Sequence, residues 1–212
     1  LLLSILKSLI FQQKGSEMIE LDITYYILFF IITAIQSIAG VGVLVLGTPL
    51  LLLLNHNIID SISLLLPLSI LTSFTNLIYF NFFTKKKFKN IQKDILNTFF
   101  TFGILGMMIG IVLLKNFHDD LNFKIIVSII ILISILLKNI KKNANEFSNK
   151  LSSKSKQIIL FITGLIHGLT NSGGSLLSLF FLQLNNNDKN QSRYEITFFY
   201  LFLAIAQYLL FM

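Results

Sequence analysis

The sequence predicts an all-α, polytopic membrane protein made of two tandem repeats. Each repeat opens on a glycine-broken or re-entrant helix, and the second repeat is incomplete. Three observations carry this prediction. Hydrophobic residues are 54% of the 212 and charged residues 13%, with a mean hydropathy of +0.77; a soluble domain holds nearer ~25% charged residues. Several apolar runs reach the roughly 20 residues that span a bilayer core. Two runs are interrupted by glycine-rich polar stretches, at residues 36–42 and 164–175. A β-barrel would show short alternating segments instead.

The net charge of +7 does not call for a nucleic-acid partner. The lysines lie between the apolar runs, where they act as topology signals and meet anionic lipid of the bilayer. Cysteine is absent, which excludes disulfides, thiol chemistry and Fe–S ligation. The three histidines show no metal-ligand spacing, so neither a metal nor a cofactor is expected.

Residues 1–22 form an N-terminal segment. Met18 reads as the start, which leaves residues 1–17 as upstream sequence or an added amphipathic segment. The first repeat covers residues 23–138. Its opening block, 23–54, would be roughly 48 Å long as one helix, against a core of about 30 Å. A broken element fits better: one helix to Ser37, a break around Gly40 and Gly42, and a second helix that Thr48 and Pro49 bend. The second span, 61–83, carries Asn76 and Asn81. A basic loop follows at 85–89. The third span is 95–114, where Gly106 and Gly110 permit close helix contact. Loop 115–124 mixes signs, and the aliphatic fourth span, 125–137, faces lipid. Residues 139–156 are a basic cytoplasmic connector.

The incomplete second repeat, 157–212, holds the other broken element (157–184), a polar loop (185–193) and a last span from Tyr194. Asp60 and Glu195 sit at span edges, in the membrane interface. His56 and His118 lie in water-facing loops. The basic stretches 85–89 and 138–156 alternate with loops 55–60 and 115–124, so they share the cytoplasmic face. If the second broken element crosses the membrane, loop 185–193 is external and the halves run parallel. If it re-enters, that loop is cytoplasmic and the halves are inverted. Crossing is the expectation.

Sliding the chain by 131 residues lays one break on the other without a gap. Gln36 falls on His167, Gly42 on Gly173, Asn55 on Asn186 and Asn76 on Gln207. Such duplications build many transporters, with the site at the repeat interface. The two spans that follow Phe83 have no counterpart before Met212. The expectation is that the chain continues there; otherwise a second copy, as a homodimer, completes the core.

The first break reads Ala39-Gly-Val-Gly-Val-Leu-Val-Leu-Gly-Thr-Pro49; the second reads Gly164-Leu-Ile-His-Gly-Leu-Thr-Asn-Ser-Gly-Gly174. From residue 23 to 212 this resembles the TauE/SafE permeases, the sulfite exporter-like family. The resemblance implies a bacterial inner-membrane permease that moves small anions, often sulfur-containing, such as sulfite or organosulfonates.

The breaks support an anionic substrate independently. A helix that restarts in mid-membrane offers free N–H groups and the positive end of its dipole. Gly40, Gly42, Gly173 and Gly174 let backbone approach an oxyanion. Gln36, Ser37, Thr170, Asn171, Ser172 and Ser175 would complete the shell. Asn76, Gln207, Thr48 and Pro49 line the path or pack helices. His167 is the titratable group well inside a span, and proton uptake there would couple transport to pH. No catalytic residue is expected: Ser172 and Ser175 lie near His167, but no carboxylate joins them within the spans, and no P-loop is present. A non-transporting membrane scaffold is the alternative, although a scaffold does not need two matched polar breaks.

Overall fold

The computed structural model describes residues 23–40, 43–84, 88–139, 152–186 and 188–211. The N-terminal segment, Gly42, most of the basic loop and most of the connector lie outside the described residues. Eight helices and no strand are present among them. They are α1 (Ile23–Ala39), α2 (Val43–Leu53), α3 (Ile58–Phe83), α4 (Lys93–Phe117), α5 (Phe123–Asn139), α6 (Ser153–Thr170), α7 (Gly173–Leu184) and α8 (Lys189–Phe211). Of these, α3, α4 and α8 are long and apolar enough to cross a membrane. As composition predicts, α5 leaves Ile125, Ile129, Leu132 and Leu136 exposed.

Neither broken element crosses straight through. As a continuous rod, the chain from Tyr25 to His56 would be roughly 46 Å long. Instead the Tyr25 hydroxyl and His56 Nε2 are 2.8 Å apart and hydrogen-bonded. Helices α1 and α2 are therefore the two arms of a hairpin, and His56 is half-buried against Tyr25 rather than loose in a loop.

The second element does the same. At its start, Lys156 pairs with Asp94 at 2.7 Å. Just past its end, Gln191 exchanges hydrogen bonds with the backbone of Lys89. Its ends thus meet the first turn of α4 and the α3–α4 connection just before it. This corrects the crossing expectation: loop 185–193 lies on the face of the basic α3–α4 loop. The opposite face holds Asn55, which accepts from Lys124 at 2.8 Å, and the end of α8, where Lys115 donates to the Leu210 carbonyl. The two hairpins enter from opposite faces.

The reversals have a local cause. Gly40 has φ 82° and Asn171 φ 64°, the left-handed conformation that ends a helix and turns the chain. Glycine reaches it without strain, and asparagine is among the side chains that tolerate it best. Asn55 and Asn186, with φ 66° and 51°, repeat the device at the far ends of α2 and α7. These positive-φ residues form two pairs 131 apart, from 40 to 171 and from 55 to 186. The hydrogen bonds recur too. Gly40 donates to the Gln36 carbonyl and Asn171 to the His167 carbonyl, both at 2.8 Å. Ser61 and Ser192 hydroxyls donate to the Asn57 and Asp188 carbonyls, both at 2.7 Å.

Helices α4 and α6 approach each other closely. Gly103, Gly106 and Gly110 of α4 lie against Gly164 and Gly168 of α6, backbone on backbone. A Cβ on Gly164 would fall on the Gly103 carbonyl, and one on Gly168 on that of Met107. Small residues let helices in lipid approach this closely.

Single cysteines can be introduced freely, because the chain has none. Asn190→Cys and Lys154→Cys should react with a membrane-impermeant maleimide from one side of the membrane, and Asp119→Cys from the other. Labelling of Asn190→Cys from the same side as Asp119→Cys would refute the hairpin. Gly164→Ala should lower stability in detergent by about 1–3 kcal/mol, read as a lower melting temperature, because the overpacked contact is backbone that cannot yield.

Candidate functional site

The first break is closed by its own side chains. Gln36, in the last turn of α1, is fully buried. Its Nε2 donates to Ser73 Oγ at 2.9 Å and to the Ser69 carbonyl at 3.3 Å, both on α3. Its Oε1 accepts the N–H of Val43, the first residue of α2, at 2.8 Å. A glutamine seven residues upstream thus caps the restarting helix. At the tip, Gly40 is pressed against the Arg193 carbonyl and Thr197 Oγ1, each 3.2 Å from where a Cβ would stand. Ser37 is exposed and contributes its carbonyl, which accepts from Arg193 Nη2 at 2.8 Å. Further along α2, the Thr48 hydroxyl is buried without a partner, and Pro49 sits inside the helix. Proline has no N–H to give the carbonyl one turn back.

The second break is arranged differently. Its hydroxyls are occupied locally. Thr170 Oγ1 donates to the Ile166 carbonyl at 2.8 Å and accepts the Ser172 N–H at 3.3 Å. Ser172 Oγ donates to the Thr170 carbonyl at 3.3 Å. Ser175 Oγ donates to the Ser172 carbonyl at 2.8 Å and meets Ser134 Oγ of α5 at 2.9 Å.

The larger polar groups are not occupied. Both ring nitrogens of His167 and both amide atoms of Asn171 and Gln207 have no partner among the described residues, and all three residues are fully buried. No side-chain bond caps the start of α7. His167 holds the position that Gln36 holds in the first hairpin, yet it makes no such cap. Gly173 packs on it: a Cβ there would stand 2.6 Å from His167 Cβ and 2.5 Å from the Thr163 carbonyl.

Tyr200 of α8 joins the two hairpins. Its ring meets the His167 ring edge-on, centroids 5.6 Å apart. Its hydroxyl faces the backbone N–H groups of Leu44 and Val45 in the first turn of α2, without closing a hydrogen bond. Arg193, Thr197, Tyr200 and Gln207 stand four, three and seven residues apart along α8, so they share one face, the face turned to the breaks. Asn76 lies on α3, half-buried, with its amide nitrogen unpaired.

The structure thus brings Gln36, Ser69 and Ser73 together at one break, and His167, Gly173 and Tyr200 at the other. The groups are closed over. A shallow, mostly apolar groove lined by Lys124, Ser128 and Leu132 lies elsewhere, on α5. No cluster of metal-ligating side chains occurs among the described residues.

The sulfite exporter TauE/SafE family model matches residues 25–212. The chain belongs to the TauE/SafE family. It is a multi-pass membrane protein of a transporter family. No individual curated protein and no solved structure matches the chain significantly.

For a TauE/SafE protein, the residues that sequence reasoning missed are Tyr200, Ser69, Arg193 and Glu195. The repeat held a signal for Tyr200: the 131-residue offset lays Ser69, which Gln36 contacts, on Tyr200, which His167 contacts. Glu195 is buried under the α7–α8 turn.

Gln36→Ala should destabilise the protein by about 1–3 kcal/mol, because it strands the buried Val43 N–H and breaks the link to α3. A melting temperature in detergent unchanged from wild type would show that the cap is dispensable.

Proposed function

We propose that this protein is a bacterial inner-membrane permease for small anions, foremost sulfur-containing ones such as sulfite or organosulfonates. The anion sits at the second break, between the start of α7 and the side chains of His167 and Asn171. One observation carries this reading: the N-terminus of α7 is uncapped, and unpartnered, fully buried polar groups stand beside it. Leaving such groups unsatisfied costs about 1–3 kcal/mol each. A ligand that accepts from Asn171 Nδ2, from a neutral His167 N–H and from the Gly173 and Gly174 backbone recovers that cost.

The chemistry selects an oxyanion. Every group offered to it is a neutral donor or the positive end of a helix dipole. No lysine or arginine side chain is needed, which suits a site that must also release its ligand. Gly173 and Gly174 let the ligand reach the backbone. The first break, whose helix start Gln36 already occupies, serves as the frame against which Tyr200 is held. Two hairpins entering from opposite faces give the site a wall toward each side, as alternating access requires.

Counterflow in proteoliposomes with labelled sulfite, sulfate and methanesulfonate tests the proposal. Asn171→Ala should cut exchange at least roughly tenfold, equivalent to about 1.4 kcal/mol of binding. His167→Gln should also lose exchange but keep or raise the melting temperature, because glutamine here can cap Gly174 as Gln36 caps Val43. Exchange unaffected by both substitutions would remove the anion from this site.

A further inference from the structure

Glu195 is a buried acid outside the anion site, 6% exposed, in the second turn of the membrane-spanning α8. Both of its oxygens are held by neutral amides: Oε1 accepts from Gln191 Nε2 and Oε2 from Asn185 Nδ2, each at 2.7 Å. No cation pairs with it among the described residues. The charged group facing it is Asp188, whose Oδ1 caps the start of α8 by accepting from Asn190 and Gln191. From α7 it meets Asn185. From the α3–α4 loop, the Lys89 backbone reaches it through Gln191. An ionised carboxylate buried in a span without a counter-charge is costly, and its usual reason is functional.

Its position supplies the function. Asn185 terminates α7, and the other end of α7 is Gly173–Gly174, the start that flanks His167. The 12 residues of α7 make a rod of roughly 18 Å. Glu195 therefore grips one end of the helix whose other end forms the anion seat. It also lies on the face of the basic loop, where Asn190 is exposed and water supplies protons.

We propose that Glu195 is a proton-binding site that couples anion movement to protons. One proton from water on that face adds to Oε2, and the carboxylate becomes a neutral acid. The oxygen that accepted from Asn185 then carries a hydrogen of its own. The Asn185 bond is lost and the grip on the far end of α7 loosens, leaving that end held by Ser192 on the Phe181 carbonyl and by the Phe181–Phe199 stack. Returning the proton restores the grip. One proton moving with one monoanion leaves the cycle electroneutral. This inference rests on the transport reading above.

The test uses full-length protein in proteoliposomes with an entrapped pH dye. Methanesulfonate is the probe, because it stays monoanionic from acidic to neutral pH and brings no titration of its own. Wild type should exchange methanesulfonate and move protons when a methanesulfonate gradient is imposed. Glu195→Gln should keep exchange but lose gradient-driven proton flux at least roughly tenfold. Glu195→Asp should recover part of it. Wild-type proton flux in Glu195→Gln overturns the coupling role. Loss of exchange in Glu195→Gln also overturns it and leaves Glu195 a brace for the hairpin. Absence of exchange in wild type overturns the transport reading, and this one with it.

Discussion

A backbone group set free in hydrocarbon must find its partner inside the protein. That constraint shapes every feature around the two breaks. Each break frees N–H groups at the start of a helix and carbonyls at the end of the one before. Left-handed residues, Gly40 and Asn171, recover part of this by donating back one turn, to Gln36 and His167. The same residues reverse the chain, so the helices after the breaks fold back as second arms. The hairpin follows from satisfying the backbone, and the hairpin places a helix start deep in the bundle.

The two hairpins share one backbone design and differ in chemistry at two contact positions. Where the first carries Gln36 and Ser69, the second carries His167 and Tyr200. The flexible glutamine reaches both the restarting helix and α3. The histidine meets the tyrosine ring instead and leaves the restarting helix open. One break is therefore finished by the protein and the other is not. The difference in energy is a few hydrogen bonds, and that is the scale on which a transported ligand must bind if it is also to leave.

Much of this was legible in the sequence. Composition and apolar run lengths fixed the class. The interrupted runs located both breaks, and the 131-residue register anticipated the matched turns. Gly106 and Gly110 were read as close-packing positions, and they are. The direction of each broken element was not legible, because apolar periodicity carries no sign for whether a chain continues or returns. The contacts of Tyr25 with His56, of Lys156 with Asp94 and of Gln191 with Lys89 reveal it. The local bonds of Thr170, Ser172 and Ser175 were not legible either: in a tight turn a hydroxyl takes the nearest carbonyl. Nor was the burial of Glu195 legible, because the turn that folds over it belongs to tertiary structure.

The packing also decides which part of the site can move. Helix α6 carries His167 and is locked to α4 by glycines on both sides, so it has little room to slide. Helix α7 touches α6 at Gly173, meets α5 through the Ser134–Ser175 pair, and is tied at its end to Glu195 through Asn185. These two side-chain ties are polar, and one of them ends on an acid; the stack of Phe181 on Phe199 adds an apolar hold. A helix held in this way can change its grip without breaking the glycine-packed pair behind it. On the proposal that the second break seats an anion, His167 on the fixed helix and the start of α7 on the more loosely tied one are the two walls of that site, and the anion lies between them.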